Sequence, residues 1–519
     1  MKRISLFLLI PLAITLINLA PQEVLGQSSP KKGGTINVGI NTDVIALDPH
    51  INAAVVSAIV LHHVFESLLG YGENLEILPV AAERWEVSKD FKTYTFYLLK
   101  GKTFHNGREM TAEDVKYSLE RIMDPKTKSP RMSSFKPVER IEVRDKYTVV
   151  VHLKTANAAF PHILADLYPV IAIVPKEEIE KQGGVFKSPV GTGPFKFVEW
   201  KPDRHVILER YDKYVGPKGP RNGIGGERVA YVDRVKFIPI PEESVSVMAL
   251  LNKEIDILQY FPPTYVDRHK SEYSKKGISL QEVTGLSWYL IYIGVTKPVV
   301  SSLKFRQACA YAIDLNMVTQ AAYKGHAKAN PSVVPEQSQY WTPYHKTWYK
   351  KDVNKARQLL KEAGYKGEEV TIDTTKKYFA MYSQAVAVQS ELAAVGINVK
   401  LNVIDWAVLQ QRGVAGDFQM SSYGMGPMPN PGLAYSYLKR TKIDQAYPRI
   451  NEILEECTRI SDMKNLQRLY EELHKIQVEQ VPWIHLYNYN YLQAYHNYVK
   501  GYQANNTGYP RLWGVWLDK

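Results

Sequence analysis

Ser287 stands in Gly285-Leu286-Ser287-Trp288-Tyr289, which fails at the last position of the Gly-x-Ser-x-Gly elbow that exposes a nucleophile on a strand-to-helix turn. Gly191-Thr192-Gly193-Pro194 is rich in glycine like a phosphate loop. No Gly-Lys-Ser/Thr follows it, and a strand pattern comes next, which cannot present a helix N-terminus to phosphate. The 13 histidines include no His-Glu-x-x-His and no pair spaced for one helical face; His62 and His63 are adjacent and diverge around a helix. No protein-ligated metal and no nucleotide cofactor is therefore expected. Acidic residues are plentiful, but spacing alone does not bring two of them together on a substrate.

Aromatic residues carry the remaining signal. Tyrosine numbers 34 against 15 phenylalanines. Tyr and Trp combine an apolar face with a polar tip, the chemistry of a cleft that grips a ligand while partly wet. Tyr487, Tyr489 and Tyr491 fall at period two on one side of a strand, a side that either packs on a helix or lines a pocket. The two cysteines, Cys309 and Cys457, sit in apolar stretches of helical spacing and read as small buried hydrophobes, with a single bridge between them as the alternative.

The elements that must position these residues alternate between strand and helix. Residues 34–40 read as an opening strand and 55–69 as a helical stripe ended by Gly70. Residues 94–99 and 147–153 read as strands, and between them Thr111-Ala112-Glu113-Asp114 forms a capping box for a helix that stops before Pro125. Strand, helix and short strand follow over 232–258. The second half repeats the order: strand 288–294, helix 303–320, helix 353–363 closed by Gly364, strand 370–373, helix 378–395 and strand 399–403. Helices near 450–460 and 466–478 precede a Tyr-rich strand from Pro482. The pattern is α/β.

At about 150 residues per domain, 519 residues make roughly two to four domains. Hydrophobic residues are 45% and charged residues 23%, which excludes disorder and a polytopic membrane protein. Lys2 and Arg3, an apolar run to Leu19 and a small residue at Gly26 read as a secretory signal over residues 1–26, cleaved before Gln27. No cysteine is near for acylation. The net charge of +12 is scattered, and the short basic groups lack interleaved aromatics, so a solvated basic surface is expected and no nucleic-acid partner.

A chain of longer matches is more specific. Ala82-Glu83-Arg84-Trp85-Glu86-Val87-Ser88, Thr93-Tyr94-Thr95-Phe96, Phe104-His105-Asn106-Gly107 and Thr111-Ala112-Glu113-Asp114-Val115 resemble the hallmark segment of extracellular solute-binding proteins of the oligopeptide/dipeptide/nickel class, family 5 of ABC importers. The stretches 189–195, 305–314, 323–325 and 356–365 continue the resemblance in the family's order. It implies a two-lobe, periplasmic-binding-protein-like α/β fold of type II with an additional domain inserted in the first lobe. Lobe I would comprise 27–55, 186–285 and 488–519, the additional domain 56–185, and lobe II 286–487. A peptide or similar-sized solute would be enclosed between hinged lobes and delivered to a membrane permease by a monomer in the periplasm or outside the cell. The alternative is a secreted hydrolase acting on similar ligands, which a resident nucleophile-base pair would favour.

The hallmark segment itself reads as structural, with Trp85, Tyr94 and Phe96 as core anchors. Ligand-binding residues implied by the resemblance are Trp406, where related peptide binders have a pocket tryptophan, the loop residues Tyr423, Gly424, Met425 and Gly426, and Tyr487 with Tyr489. The alternative for Trp406 is a helix-start aromatic that covers the core. Residues 423–431 depart from the peptide-binding pattern because they lack the acid that neutralises a peptide's α-ammonium. A buried ammonium without a counter-charge is costly. Either another carboxylate substitutes, or the ligand is not an ordinary free peptide.

Overall fold

The computed structural model describes residues 29–51, 54–165, 167 and 170–519, with nothing said of the Phe379 side chain. The signal expected at 1–26 lies outside the described residues. Among those residues no helix is long and apolar enough to cross a membrane.

One mixed sheet runs through the molecule. Across it lie Val399–Val403, Val370–Thr374, Met420–Met425, Ile278–Ile293, Trp483–His496, Ile257–Leu258, Thr35–Ile40, Arg234–Pro239, His205–Arg210 and Phe195–Lys201. At one end three strands are parallel, Val370–Thr374 with Val399–Val403 and Met420–Met425. Towards the other end Thr35–Ile40 is parallel to Arg234–Pro239 and Ile257–Leu258. The two parallel sets are the α/β lobes, and the antiparallel pair Ile278–Ile293 and Trp483–His496 joins them. Helices cover both faces of the second lobe, giving one core around Phe305, Cys309 and Leu392 and another around Trp288, Leu409 and Trp483.

A separate antiparallel sheet of Ala82–Val87, Thr93–Leu98, Thr148–Leu153 and Val138–Asp145 belongs to the first half of the chain. The helix Ala112–Met123 packs on it through Val115, Leu119 and Ile122, and the Thr111/Asp114 capping box forms as its spacing predicts. Tyr94 and Phe96 are buried in this core.

The expected stripe 55–69 ends early, at Val64. Its last carbonyl is taken by the glycine motif. The Gly193 N–H donates to Val64 O at 2.9 Å, and a Cβ at Gly191 or Gly193 would fall 2.1 Å from Val64 O or 2.4 Å from His63 O. The motif is therefore a site of close backbone packing. The helix expected over 303–320 is two, Leu303–Ala312 and Leu315–Tyr323, because the Asp314 side chain caps the second by accepting from Asn316 N and Met317 N. Cys309 and Cys457 are both free and buried, and burial pushes each thiol up to about 12.

Two buried ionic groups fasten the separate sheet to the main one. Glu66 takes the Lys102 ammonium at 2.5 Å, the Arg228 guanidinium at 3.4 Å, and hydroxyl hydrogens from Tyr214 (2.7 Å) and Thr192 (2.8 Å). Burial works to raise the Glu66 carboxyl, but the two cations outweigh it and hold it below the ordinary range. Arg121 forks onto Asp48 at 2.7 and 3.0 Å, and Asp48 also accepts the Phe186 N–H. Arg121 donates to His50 Nδ1, which leaves His50 Nε2 to donate to Ala172 O at 2.8 Å.

Candidate functional site

The long strands set the geometry. Ile278–Thr284 pairs with residues 490–496, then the register shifts, and Trp288 resumes opposite Asn488. Residues 285–287 bulge at this crossing; the Leu286 N–H turns to Asn506 O, and Ser287 Oγ lies 2.6 Å from the Tyr491 hydroxyl. Alternation then assigns each aromatic to a face. Trp288, Leu290 and Tyr292 enter one core with Tyr423 and Trp483, while Tyr289 stands opposite Tyr487 on the other face.

The sequence-derived residues form two groups. Trp406 opens the helix Trp406–Ala415 and is half-buried, its ring 5.4 Å from Tyr423 and 5.0 Å from Tyr378. Tyr487 stacks on Tyr289 at 5.3 Å, and Tyr489 reaches Tyr289 at 5.5 Å and Tyr323 at 5.4 Å. Gly424 links them. It pairs with Tyr289, and a Cβ there would fall 2.4 Å from the Tyr289 ring, so only glycine leaves room for that ring.

The reading of 423–431 as one loop is corrected: Met420–Met425 is a strand, because it pairs with both Ile278–Ile293 and Val370–Thr374. Tyr423 and Met425 are buried, with Met425 opposite Trp288, and the connecting loop begins at Gly426. Spacing could not show Tyr289, Tyr323, Tyr378 or Tyr260, because cross-strand register and sheet edges bring them together. Tyr260, just past Ile257–Leu258 in the first lobe, meets the hydroxyl of Tyr323 in the second. Burial raises both phenols.

The second lobe also meets the part of the chain beside the separate sheet. His162 accepts or donates at both ring nitrogens, to the Tyr71 hydroxyl at 3.0 Å and to the Tyr340 hydroxyl of the second lobe at 3.2 Å. Burial lowers the His162 pKa from 6.5 to about 4, so the ring is neutral at pH 7. The Ala158 N–H donates to Thr458 O at 2.6 Å. Between these contacts a cavity of about 480 Å³ has Tyr71 and His162 on one side and Pro427, Met428, Leu433 and Tyr470 on the other. Its walls are largely apolar with a few polar tips, suited to a solute of peptide size.

Other buried imidazoles are committed to backbone carbonyls: His62 to Leu167, His269 to Ile278, His474 to Thr347, His485 to Asn330 and His496 to Leu250. None of these contacts supplies Ser287 with a base. No group of three or more His, Cys, Asp or Glu able to hold a metal occurs among the described residues.

Comparisons with known proteins agree with this architecture. The chain is 27% identical over 490 residues to the glutathione-binding protein GsiB of Escherichia coli strain K12, covering 91% of each chain. It superposes on AgaA of A. tumefaciens R10, solved with agropinic acid, with a TM-score of 0.78, 27% identity and coverage of 94% of this chain and 99% of that one. The ABC transporter-associated periplasmic binding protein DppA of Helicobacter pylori, solved with the peptide STSA, gives a TM-score of 0.77, 27% identity and the same coverage. The fold is that of type II periplasmic binding proteins, as the resemblance implied. Residues 76–446 match the model described as bacterial extracellular solute-binding proteins, family 5 Middle, and the chain belongs to that family of ABC-importer binding proteins.

Proposed function

We propose that this protein captures a peptide, a glutathione-like molecule or an opine-sized solute between its two lobes and delivers it, without chemical change, to an ABC permease. The observation that carries this reading is the interlobe contact itself. The lobes share one strand pair, and the second lobe and the segment 56–185 enclose a cavity of about 480 Å³. GsiB, AgaA and DppA are named for, or solved with, glutathione, agropinic acid and a short peptide, which sets the size class. On this reading residues 27–55, 186–285 and 488–519 form lobe I, 56–185 the additional domain and 286–487 lobe II, in a monomer outside the cytoplasm after loss of residues 1–26. Trp406, Gly426 and Tyr489, none of which lines that cavity, face solute beyond it, while Tyr423, Gly424, Met425 and the fully buried Tyr487 support them.

Solute touching both lobes stabilises the closed state by contacts that the open state lacks. A thermal-shift screen of peptides, glutathione and opines tests the reading, since a ligand at 100 times its dissociation constant adds about 2.7 kcal/mol. Small-angle scattering of the hit complex should show a smaller radius than the free protein. An unchanged radius at saturation would remove the hinge mechanism. Ser287, bonded to Tyr491 and without an imidazole partner among the described residues, offers nothing to the hydrolase alternative.

A further inference from the structure

Arg440, in the helical turn Tyr437–Thr441 of the second lobe, is half-buried among tyrosine rings. Its guanidinium carbon lies 4.7 Å from the centre of the Tyr437 ring, 5.1 Å from that of Tyr423 and 6.0 Å from that of Tyr292. Among the described residues no carboxylate pairs with it, and its Nη1 is buried without a hydrogen-bond partner. Arg412, on the neighbouring helix Trp406–Ala415, shows the ordinary arrangement, with Nε 3.0 Å from the Asp373 carboxylate. The faces of phenol rings attract a guanidinium but do not use up its N–H donors. A buried donor left unused on a cation is costly. The hydroxyl of Tyr292, whose side chain is fully buried and whose ring Arg440 faces, likewise has no partner among the described residues.

Room for an acceptor exists beside that nitrogen. Gly413 is buried within the helix Trp406–Ala415, where glycine is weaker than alanine. A Cβ there would make ordinary contact, 3.6 Å from both Arg440 Nη1 and Tyr423 Cε2, so alanine would fit. The glycine instead leaves a gap of methyl size against the unused donor. Arg440 also stands between the two places where the capture reading puts solute. On one side Tyr437 and Lys439 line the cavity of about 480 Å³. On the other, Tyr423 has Arg440 at 5.1 Å and Trp406 at 5.4 Å. The stretch 423–431, which lacks an acid for an ammonium, thus has a cation over its first residue, the opposite of the charge an ammonium needs.

We propose that Arg440 binds a carboxylate of the captured solute, one oxygen accepting from Nη1 in the gap that Gly413 leaves while the apolar part of the solute lies along Tyr423 and Trp406. The assignment rests on the solute-capture reading and narrows it to solutes that present a carboxylate to the second lobe.

The test follows the fluorine resonances of the full mature chain carrying fluorotryptophan, with that of Trp406 assigned by its loss in W406F. Benzoate is the probe and benzamide its neutral match. A saturable shift of the Trp406 resonance is expected with benzoate, with affinity lower by about tenfold or more for benzamide and by about tenfold or more in R440Q. G413A, which fills the gap, should also weaken benzoate and yet melt no lower than the parent, since alanine favours the helix. No saturable shift, equal affinity for benzamide, or equal affinity in R440Q would overturn the assignment. Benzoate bound by G413A at parental strength would do the same, whether or not R440Q folds. A solute from the screen that closes the lobes and binds R440Q undiminished would overturn it while leaving solute capture standing. Benzoate held at Arg440, with no screened solute closing the lobes, would instead sink the capture reading.

Discussion

The separate sheet is joined to the first lobe by Glu66, Lys102 and Arg228 and by Asp48 with Arg121, whereas the chain beside that sheet meets the second lobe through His162, Tyr340 and a backbone hydrogen bond. In the first joint each ion faces an opposite charge, with Lys102 and Arg228 sharing Glu66, and glycines 191 and 193 bring backbones into contact. In the second the hydrogen-bonded side chains are neutral and a cavity remains. Separating the first would leave charges stranded, while separating the second returns hydroxyls and an imidazole to water, which satisfies them. Charge content thus distinguishes a joint built to persist from a contact built to part.

The sharpest way to break that contrast is Lys102→Met. Removing one member of a buried ionic group should cost about 3–5 kcal/mol in urea denaturation. A loss under about 1 kcal/mol would make the two joints equivalent. Acid should act on the lobe contact. Burial lowers His162 from 6.5 to about 4, so its contribution to closure is complete above pH 6.5 and is lost as pH falls toward 4. The effect is at most about 3 kcal/mol. Scattering on the solute complex should show opening over that window, and H162F should blunt it; identical acid opening in H162F would place the switch elsewhere. Trp406→Ala should weaken solute binding by about tenfold or more with the melting temperature nearly unaltered. Large destabilisation with intact affinity would return Trp406 to the core. The smallest effect is expected of Tyr340→Phe, which removes one interlobe hydrogen bond worth about 1 kcal/mol. It should shift scattering of the free protein toward the open form without changing urea stability.

Local signals in the sequence were read well where the cause was local. Thr111 and Asp114 lie within one helical turn, so their capping box needs no distant partner. Helix 353–363 ends beside Gly364, whose φ of 71° suits glycine. Where distant chain decides, the pattern misled. Strand 288–294 begins ten residues earlier, at Ile278, because Trp483–His496 offers a ladder that overrides Gly285 and Ser287. Residues 423–425 looked like loop for their glycine and their neighbouring prolines, yet two strands claim them. The aromatic members of the site were half legible: period two placed Tyr487 with Tyr489, but nothing local could bring Tyr289 or Tyr323 to them.

Because Ile278–Ile293 and Trp483–His496 serve both lobes at once, rotation of one lobe against the other is a torsion of a shared ribbon. The three residues 285–287, already out of register, can absorb the twist in their backbone dihedrals while the ladders on either side stay paired. No hydrogen bond of the ribbon has to rupture, so the barrier is elastic and motion should fall in the microsecond to millisecond range of domain rotations. Solute arrival, and not the unlocking of the frame, would then set the pace of capture. A ribbon of this kind also stores little energy when turned, so a permease can open the loaded protein by offering modest surface to either lobe.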